Sequence, residues 1–167
     1  MTMGEQSDGR RRAAILALAW KDVDLAGRTI RWPAAHDKTG TEWCVPLSDE
    51  LAAALKAYRQ RMGAVGGWLF PAWKDPSRPV TCWPFDHLLA EAKREAKLPK
   101  LEGGLWHPYR RKWATERKGH GLKDVMAAGG WLDTSCLLAC YQQADDESVR
   151  AVVNEPRKLR DRAAASG

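Results

Sequence analysis

The residues of this chain with the side chains best suited to phosphate chemistry are spread over most of its length. Arg11 and Arg110 carry planar guanidinium groups, which bind phosphate oxygens through paired hydrogen bonds. The hydroxyl of Tyr141 can act as a covalent nucleophile. Lys38 can protonate a leaving oxygen, and His107 can donate a hydrogen bond or move a proton. If the fold brings these side chains together, they can cleave and rejoin a phosphodiester bond.

Each of these residues also has a structural interpretation that the sequence leaves open. His107 and Arg110 lie three positions apart on one helix face, but a capping histidine beside a solvated basic helix gives the same pattern. Lys38 is typical of an ordinary turn, and Tyr141 of a helix that packs on the core. The indole of Trp131 can donate a hydrogen bond to phosphate, although most of the nine tryptophans are expected in the core. The set as a whole favours a phosphate-binding site more than any one member does.

The bulk composition fits a globular domain with a polyanionic partner. A chain of 167 residues, of which 44% are hydrophobic, is most simply one domain with its own core. The net charge of +6 and the pI near 9.3 favour nucleic acid as that partner, although mildly basic proteins without one are common. No apolar run approaches the roughly 20 residues of a membrane span, and the polar N-terminus lacks a signal-peptide core. We therefore expect a cytoplasmic protein with no membrane partner.

The four cysteines do not have the paired spacing of metal ligands. They are Cys44, Cys82, Cys136 and Cys140. The last two lie four positions apart and would share a helix face, but no histidine is near them in sequence. We expect all four to be buried as small apolar residues, with a zinc site as the weaker alternative. The sequence therefore predicts neither a metal nor another cofactor.

The strand signals predict a small antiparallel β-sheet. Strands are predicted at 29–32 and 41–45, and the Asp-Lys-Thr-Gly turn between them puts Lys38 near the tip of a hairpin. Residues 68–70 are the candidate for a third short strand. The rest of the chain is mostly helical in pattern, so the predicted fold class is α+β, mainly helical.

The helices are predicted from apolar spacing, caps and breakers. They cover 11–19, 48–62, 86–97, 107–118 and 122–128, a segment from 133 or 134 that carries Tyr141, and 146–160. In the helix at 86–97 we expect Leu88, Leu89 and Ala92 to face the core.

Five ordered motifs resemble those of the catalytic domain of the tyrosine recombinases, the phage-integrase family. Residues 8–24 are similar to its first arginine motif, and residues 37–47 to its hairpin lysine and the segment after it. The His-Pro-Tyr-Arg sequence at 107–110 resembles its histidine–arginine motif. The pair at 130–131 and the tyrosine at 141 resemble its last two elements. The resemblance implies the DNA breaking-rejoining catalytic fold, from Asp8 to about residue 160.

The resemblance also implies a mechanism and a set of residues. The catalytic residues would be Arg11, Lys38, His107, Arg110, Trp131 and Tyr141. The tyrosine would attack a DNA phosphate and form a 3′-phosphotyrosyl link, while the arginines neutralise the phosphate oxygens and the lysine protonates the 5′-oxygen that leaves. The histidine would assist proton transfer and the indole would donate a hydrogen bond. The neighbouring basic residues expected to contact the DNA are Arg10, Arg12, Arg111 and Lys112.

Three departures from the family bear on activity. Residues 9–162 are expected to form the catalytic domain, between a disordered segment at 1–8 and a flexible tail at 163–167, without the family's N-terminal DNA-clamping domain. Ala14 stands where many relatives carry an acid that orients the first arginine. Tyr141 follows Trp131 by ten positions, about one more than in many relatives.

The implied partners are double-stranded DNA and further copies of this chain, as a tetramer on DNA of a mobile element. The last helix would then pack on a neighbouring copy, although packing on its own domain is the alternative. Two other functions stay open. One is that of a catalytically silent, truncated DNA-binding remnant of an integrase. The other is that of an interaction domain that uses exposed tryptophans.

Overall fold

The computed structural model describes residues 9–63, 67–100 and 102–155. The helices are α1 (Arg12–Leu16), α2 (Asp49–Met62), α3 (Cys82–Glu95), α4 (His107–Glu116), α5 (Leu122–Gly129), α6 (Thr134–Cys136) and α7 (Asp146–Asn154). The strands are β1 (Val23–Asp24), β2 (Thr29–Trp32) and β3 (Trp43–Pro46). The predicted mainly helical α+β fold with a small antiparallel sheet is confirmed.

Some predictions concern residues outside these ranges. The expected disordered N-terminus at 1–8, the tail at 163–167 and the end of the last predicted helix, beyond 155, lie outside the described residues. Within the described ranges, no helix is both long and apolar enough to cross a membrane.

The described strands form a three-stranded antiparallel sheet in the order β1-β2-β3. The predicted hairpin is present, and Trp32 of β2 lies opposite Trp43 of β3. The third strand is β1, not the predicted segment at 68–70. Trp68 forms only a single bridge, to Ala19, because Pro71 has no N–H with which to extend the pairing.

The helix predicted at 11–19 is shorter than expected. It ends at Leu16, and a 3₁₀ turn at Trp20–Asp22 follows. The buried carboxylate of Asp22 explains the early end, because it accepts a hydrogen bond at 3.1 Å from the N–H of Ala19 and holds that residue extended. The start of α2 was correctly predicted: the Ser48 hydroxyl caps it by accepting a hydrogen bond at 3.1 Å from the N–H of Leu51.

The inward face of α3 was wrongly predicted. The helix begins four residues earlier than expected. Of the three residues expected to face the core, Leu88 is 66% exposed, Ala92 is exposed, and Leu89 alone is half-buried. The contacts of α3 with the domain are made near its start, where Phe85 packs on Trp106 and Asp86 pairs with Arg12. Tryptophans expected in the core are also exposed, namely Trp73 and Trp83.

The buried side chains of the described residues form two clusters. The larger one joins α1, the sheet and α2, and includes Ile15, Leu18, Ile30, Leu51 and Leu69. The smaller one joins α4, α5 and the segment after α6, and consists of Trp113, Ala114, Val125, Trp131 and Leu137. Trp106, just before α4, packs against the larger cluster, so the start of α4 lies where the two clusters meet.

Candidate active site

Arg110 is the centre of the candidate site. It lies in the first turns of α4, which begins at His107 with Pro108 in a position where a missing N–H costs little. The side chain is 1% exposed. Its guanidinium carbon lies 4.5 Å from the ring centroid of Trp131 and 5.1 Å from that of Tyr141. The two rings meet edge to face with their centroids 5.0 Å apart, so the cation and both rings form one cluster.

Several hydrogen-bond donors of this cluster are buried without acceptors. Among the described residues, the three guanidinium nitrogens of Arg110 form no hydrogen bond of ordinary geometry. The indole nitrogen of Trp131 forms none either. Burial lowers the pKa of Arg110, and the nearby phenol of Tyr141 opposes that shift. Buried donors are nearly always paired in proteins, so a cationic cluster of free donors is suited to receive an anion.

His107 lies beside the tyrosine. Its ring centroid is 6.2 Å from that of Tyr141. Partial burial lowers the pKa of His107, and the charges of Arg110, Arg111, Arg11 and Arg12 lower it further, in that order. The ring is therefore mainly neutral at pH 7, and it can accept a proton or a hydrogen bond next to the phenol.

Arg11 approaches the site from the N-terminal side of α1. Its Nη1 atom lies 3.4 Å from both carboxylate oxygens of Asp37, whose side chain is only 7% exposed. The same carboxylate accepts a hydrogen bond at 2.7 Å from the N–H of Thr39 and so shapes the hairpin turn. Arg11 therefore obtains its carboxylate partner from the hairpin, while Ala14 is buried in the core.

Lys38 is in the same turn, but the structure does not bring it to the cluster. Its side chain is exposed, and in the described part of the chain it forms no hydrogen bond or ion pair. The turn connects it to Asp37, which contacts Arg11. Lys38 itself does not contact the cluster, and the contact of its neighbour Asp37 with Arg11 is what connects the hairpin turn to the site.

The segment that carries Tyr141 contains a π turn. After α6 the chain continues as a π helix at Leu137–Tyr141, and the N–H of Gln142 donates to the carbonyl of Leu137 at 2.9 Å. A π turn holds one residue more than an α turn. Tyr141 follows Trp131 by ten positions, and with this turn its ring still contacts the indole. We call residues 134–141 the tyrosine segment.

Thr115 of α4 fixes the end of the tyrosine segment. Its hydroxyl donates to the carbonyl of Tyr141 at 3.1 Å and accepts from the N–H of Gln143 at 3.1 Å. The sequence reasoning missed Thr115, and it treated Asp37 only as a turn former. Both act on residues 26 positions away, and no local pattern signals such contacts.

The basic residues expected to contact DNA have different surroundings. Arg10 is 3% exposed, and its guanidinium donates to backbone carbonyls inside the protein. Arg12 pairs with Asp86 of α3, and Arg111 donates to the carbonyl of Glu102. Lys112 is the most exposed of the four, with its ammonium 3.6 Å from Glu116.

The expectation that the cysteines are buried is wrong. Cys44 and Cys140 are exposed, while Cys82 and Cys136 are half-buried. Cys136 packs against the outside of the smaller cluster. All four are free thiols. In the ranges that the structure covers, no group of three or more acidic, cysteine or histidine side chains is placed to hold a metal ion.

Comparison with known proteins gives one family and one fold. The model of the phage integrase family matches residues 2–148. The crystal structure of XerA recombinase superposes with a TM-score of 0.72 at 19% identity, covering 92% of this chain and 56% of that chain. XerH site-specific recombinase, in a post-cleavage complex with palindromic difH substrate, gives 0.71 at 20% identity, covering 91% and 42%.

The Tn1549 transposon integrase, in complex with circular intermediate DNA, gives a TM-score of 0.68 at 18% identity, covering 90% of this chain and 57% of that one. No curated protein sequence matches the chain. The chain spans about half the length of the solved recombinases that it matches. Similarity at these identities shows the fold, and the predicted tyrosine-recombinase catalytic fold is confirmed.

Proposed function

Because the chain belongs to the phage integrase family, we propose that it cleaves and rejoins DNA at specific sites through a covalent bond to Tyr141. The observation that carries the proposal is the contact of the buried Arg110 guanidinium with Trp131 and Tyr141. A phosphate next to the phenol would meet the free donors of the arginine and the indole at once. The three guanidinium nitrogens of Arg110 and the indole nitrogen of Trp131 are four of the eight buried donors that form no hydrogen bond of ordinary geometry among the described residues.

In the proposed reaction the phenol oxygen of Tyr141 attacks a DNA phosphorus. The bond to the 5′-oxygen breaks, leaving a 3′-phosphotyrosyl link and a 5′-hydroxyl on the other strand end. The phenol proton passes to the neutral ring of His107, and the ammonium of Lys38 supplies the proton of the 5′-hydroxyl. Arg110 and Arg11 stabilise the negative charge that builds on the phosphate oxygens. Attack by a 5′-hydroxyl from another strand reverses the step, so no energy source is consumed.

For Lys38 to take this part, the hairpin turn has to bring its exposed ammonium to the phosphate. The pairing of Arg11 with Asp37 supports that role, because it fixes the turn beside an arginine of the site. DNA that lies across the site would also be attracted by the positive charges around it, which already lower the pKa of His107.

Covalent trapping tests the function. We expect a random-sequence pool of nicked duplexes to give an SDS-resistant protein–DNA adduct with the native chain and none with Tyr141→Phe, which lacks the nucleophilic oxygen. The matched control is Tyr58→Phe, because Tyr58 packs on Trp20 and Phe70 in the larger cluster. An adduct that survives in Tyr141→Phe would refute the assignment of the nucleophile.

The second candidate function is DNA binding without cleavage. The observation that favours it is the exposed Lys38, which makes no contact with the cluster in the described residues. In that case the same experiment gives salt-sensitive DNA binding but no adduct with any variant.

We also propose that the chain acts as a homo-oligomer on double-stranded DNA, with α7 as the contact between copies. Asp145 anchors the start of α7, because it caps the helix by accepting from the N–H of Ser148 and pairs with Lys118. These contacts lower the pKa of Asp145 to about 2. Beyond this anchor the apolar side chains of α7 are open, with Val152 72% and Val153 76% exposed. An apolar stripe of this kind requires burial against another surface.

Sedimentation with and without duplex DNA tests the oligomer. We expect Val152→Glu to reduce the sedimentation coefficient of the complex, because a buried charge opposes association. Asn154→Glu is the control, since it places the same charge on an exposed position of the same helix. Equal sedimentation of both variants and the native chain would argue against α7 as the contact.

A further inference from the structure

Arg10 is a buried arginine with an unusual set of contacts. Its Nε donates to the carbonyl of Ala128 at 2.9 Å and its Nη2 to that of Ala127 at 2.6 Å, both at the end of α5. Its guanidinium carbon lies 5.2 Å from the ring centroid of Trp32 and 5.4 Å from that of Trp43. One side chain thus connects the end of a helix with a cross-strand tryptophan pair of the hairpin.

The main chain of Arg10 adds a third connection. Its carbonyl accepts a hydrogen bond at 3.0 Å from the indole of Trp106, the residue immediately before α4. The backbone at Gly130 also lies close to the side chain of Arg10, because a β-carbon at position 130 would lie 2.4 Å from Nη1 of Arg10. Gly130 has a φ of +72°, a conformation that suits glycine.

Each contact of Arg10 lies close in sequence to a residue of the proposed site. Ala128 precedes Trp131 by three positions, and Trp106 directly precedes His107. Trp32 and Trp43 are the last cross-strand pair before the turn that holds Lys38. Arg10 itself directly precedes Arg11. Four of the five parts of the chain that carry the proposed catalytic groups, all except the tyrosine segment, therefore meet at this one residue.

Packing alone does not explain an arginine here. Burial lowers the pKa of Arg10 to about 10, so the side chain stays charged at neutral pH and its burial costs free energy. None of its described hydrogen bonds goes to a carboxylate. An aliphatic side chain would fill the space between the tryptophans at lower cost, but it would leave the two carbonyls of α5 without these donors. Only a guanidinium has a flat face for the rings and several donors in its plane.

We propose that Arg10 is a positioning residue that fixes the hairpin turn, the start of α4 and the segment leading to Trp131 relative to one another. The purpose of this positioning rests on the proposed function. The hydrogen-exchange pattern that tests it does not. A positioning role departs from the expectation that Arg10 binds DNA directly, since its Nε and Nη2 atoms donate to carbonyls inside the protein and its side chain is 3% exposed.

The test compares Arg10→Met, Arg10→Lys and the native chain by amide hydrogen exchange and thermal denaturation, with adduct formation as a further readout. In Arg10→Met we expect about tenfold faster exchange in residues 37–40, 107–110 and 127–131 together, because the charged hydrogen bonds that link them are gone. Exchange in α2, which Arg10 does not contact, should be unchanged. Arg10→Lys should fall between the two, because an ammonium supplies donors but no planar fork.

The matched control is Arg117→Met. Arg117 also lies over a tryptophan, with 4.5 Å to the ring centroid of Trp113, and donates to a carbonyl, that of Trp113, at 3.2 Å. Its contacts stay within α4 and its C-terminal end, so it should change exchange only there. Uniformly faster exchange throughout Arg10→Met, including α2, would reduce Arg10 to a stabilising residue and overturn the proposal. So would unchanged exchange in the hairpin turn.

Adduct formation separates this inference from the proposed function. If the native chain forms the adduct, Arg10→Met should form it about tenfold more slowly on saturating DNA, with little change in DNA affinity, because positioning affects the reaction and not the binding surface. A loss of affinity at an unchanged rate would instead show a direct DNA contact and overturn positioning. If the native chain forms no adduct, the proposed function fails, while the exchange pattern still decides the role of Arg10.

Discussion

Arg110→Met is expected to abolish adduct formation and to stabilise the protein at the same time. The loss of reaction follows from the position of the guanidinium beside both Trp131 and Tyr141. It is the most buried cation of the site, so no water or neighbouring side chain replaces it. Arginines that neutralise a phosphoryl transition state contribute about 10³-fold or more to the rate.

The gain in stability follows from the cost of the buried charge. The nitrogens of Arg110 form no hydrogen bond of ordinary geometry among the described residues. A buried charge without compensation costs several kcal/mol, on the order of 5. The two aromatic rings return only about 2 kcal/mol each. Methionine fills similar space, adapts to irregular gaps and needs no acceptor. We expect a net gain of about 1–3 kcal/mol, or a melting temperature that is higher by about 2–4 °C for each kcal/mol.

Thermal denaturation and covalent trapping of the same preparation measure both effects. Lys112→Met is the control, because it removes a charge from the same helix at a side chain that is 74% exposed, where changes stay within about 0.5 kcal/mol. A lower melting temperature for Arg110→Met would show that the guanidinium stabilises the fold. In that case its free donors would no longer point to a bound anion.

The titration of His107 gives a third readout of the same variant. In the native chain the pKa of His107 lies below its usual value of 6.5, and Arg110 is the strongest of the charges that lower it. Removing that charge favours the protonated ring, so the pKa should rise in Arg110→Met. Only the neutral ring of His107 can accept the proton. It therefore does so at a pH above its pKa and loses this ability as the pH falls through that pKa. Proton NMR of the imidazole follows this shift without DNA.

The parts of the fold that the sequence predicted well are those with local signals. The cap at Ser48 and the turn at 37–40 are determined by residues within a few positions of one another. The inward face of α3 was not predictable in the same way. Leu88 has the spacing of a core residue, but whether such a residue is buried depends on what packs against the helix. The aromatic contact and the ion pair that join α3 to the domain are made by Phe85 and Asp86, near its start, and Leu88 stays 66% exposed.

The run of three arginines at 10–12 shows why residue type was predictable and role was not. A charged run normally indicates a solvated face, because consecutive charges are costly to bury. Here the chain passes from an extended conformation into α1, so the three side chains diverge. Arg10 turns into the interior, Arg11 faces Asp37, and Arg12 faces Asp86. The types required for phosphate chemistry are few and can be found by inspection, whereas their supporting contacts depend on the tertiary fold.

Gly129→Ala is expected to destabilise the protein strongly and to displace Trp131 from the site. A β-carbon at position 129 would lie 1.7 Å from Cζ3 of Trp131, far closer than atoms can approach. The ring has little room to move, since it is 3% exposed and stacks on Trp113 at 5.9 Å between centroids. The backbone is also confined, because a β-carbon on Gly9 would already lie 3.0 Å from the α-carbon of Gly129. We expect a loss of about 3 kcal/mol or more, with no adduct from the remaining folded protein.

Denaturant unfolding measures this loss, with Gly119→Ala as the control. A β-carbon at Gly119 meets no atom within 4 Å, so that variant should stay within about 1 kcal/mol of the native chain. The cause is then isolated by a double-mutant cycle with Trp131→Leu, which removes the part of the ring that the new methyl group strikes. If the clash is the cause, the double variant loses clearly less free energy than the sum of the two single variants, by about 1–3 kcal/mol. Strict additivity would mean that position 129 requires glycine for a reason unrelated to the indole, and that the indole is not held in the site by contact with this glycine.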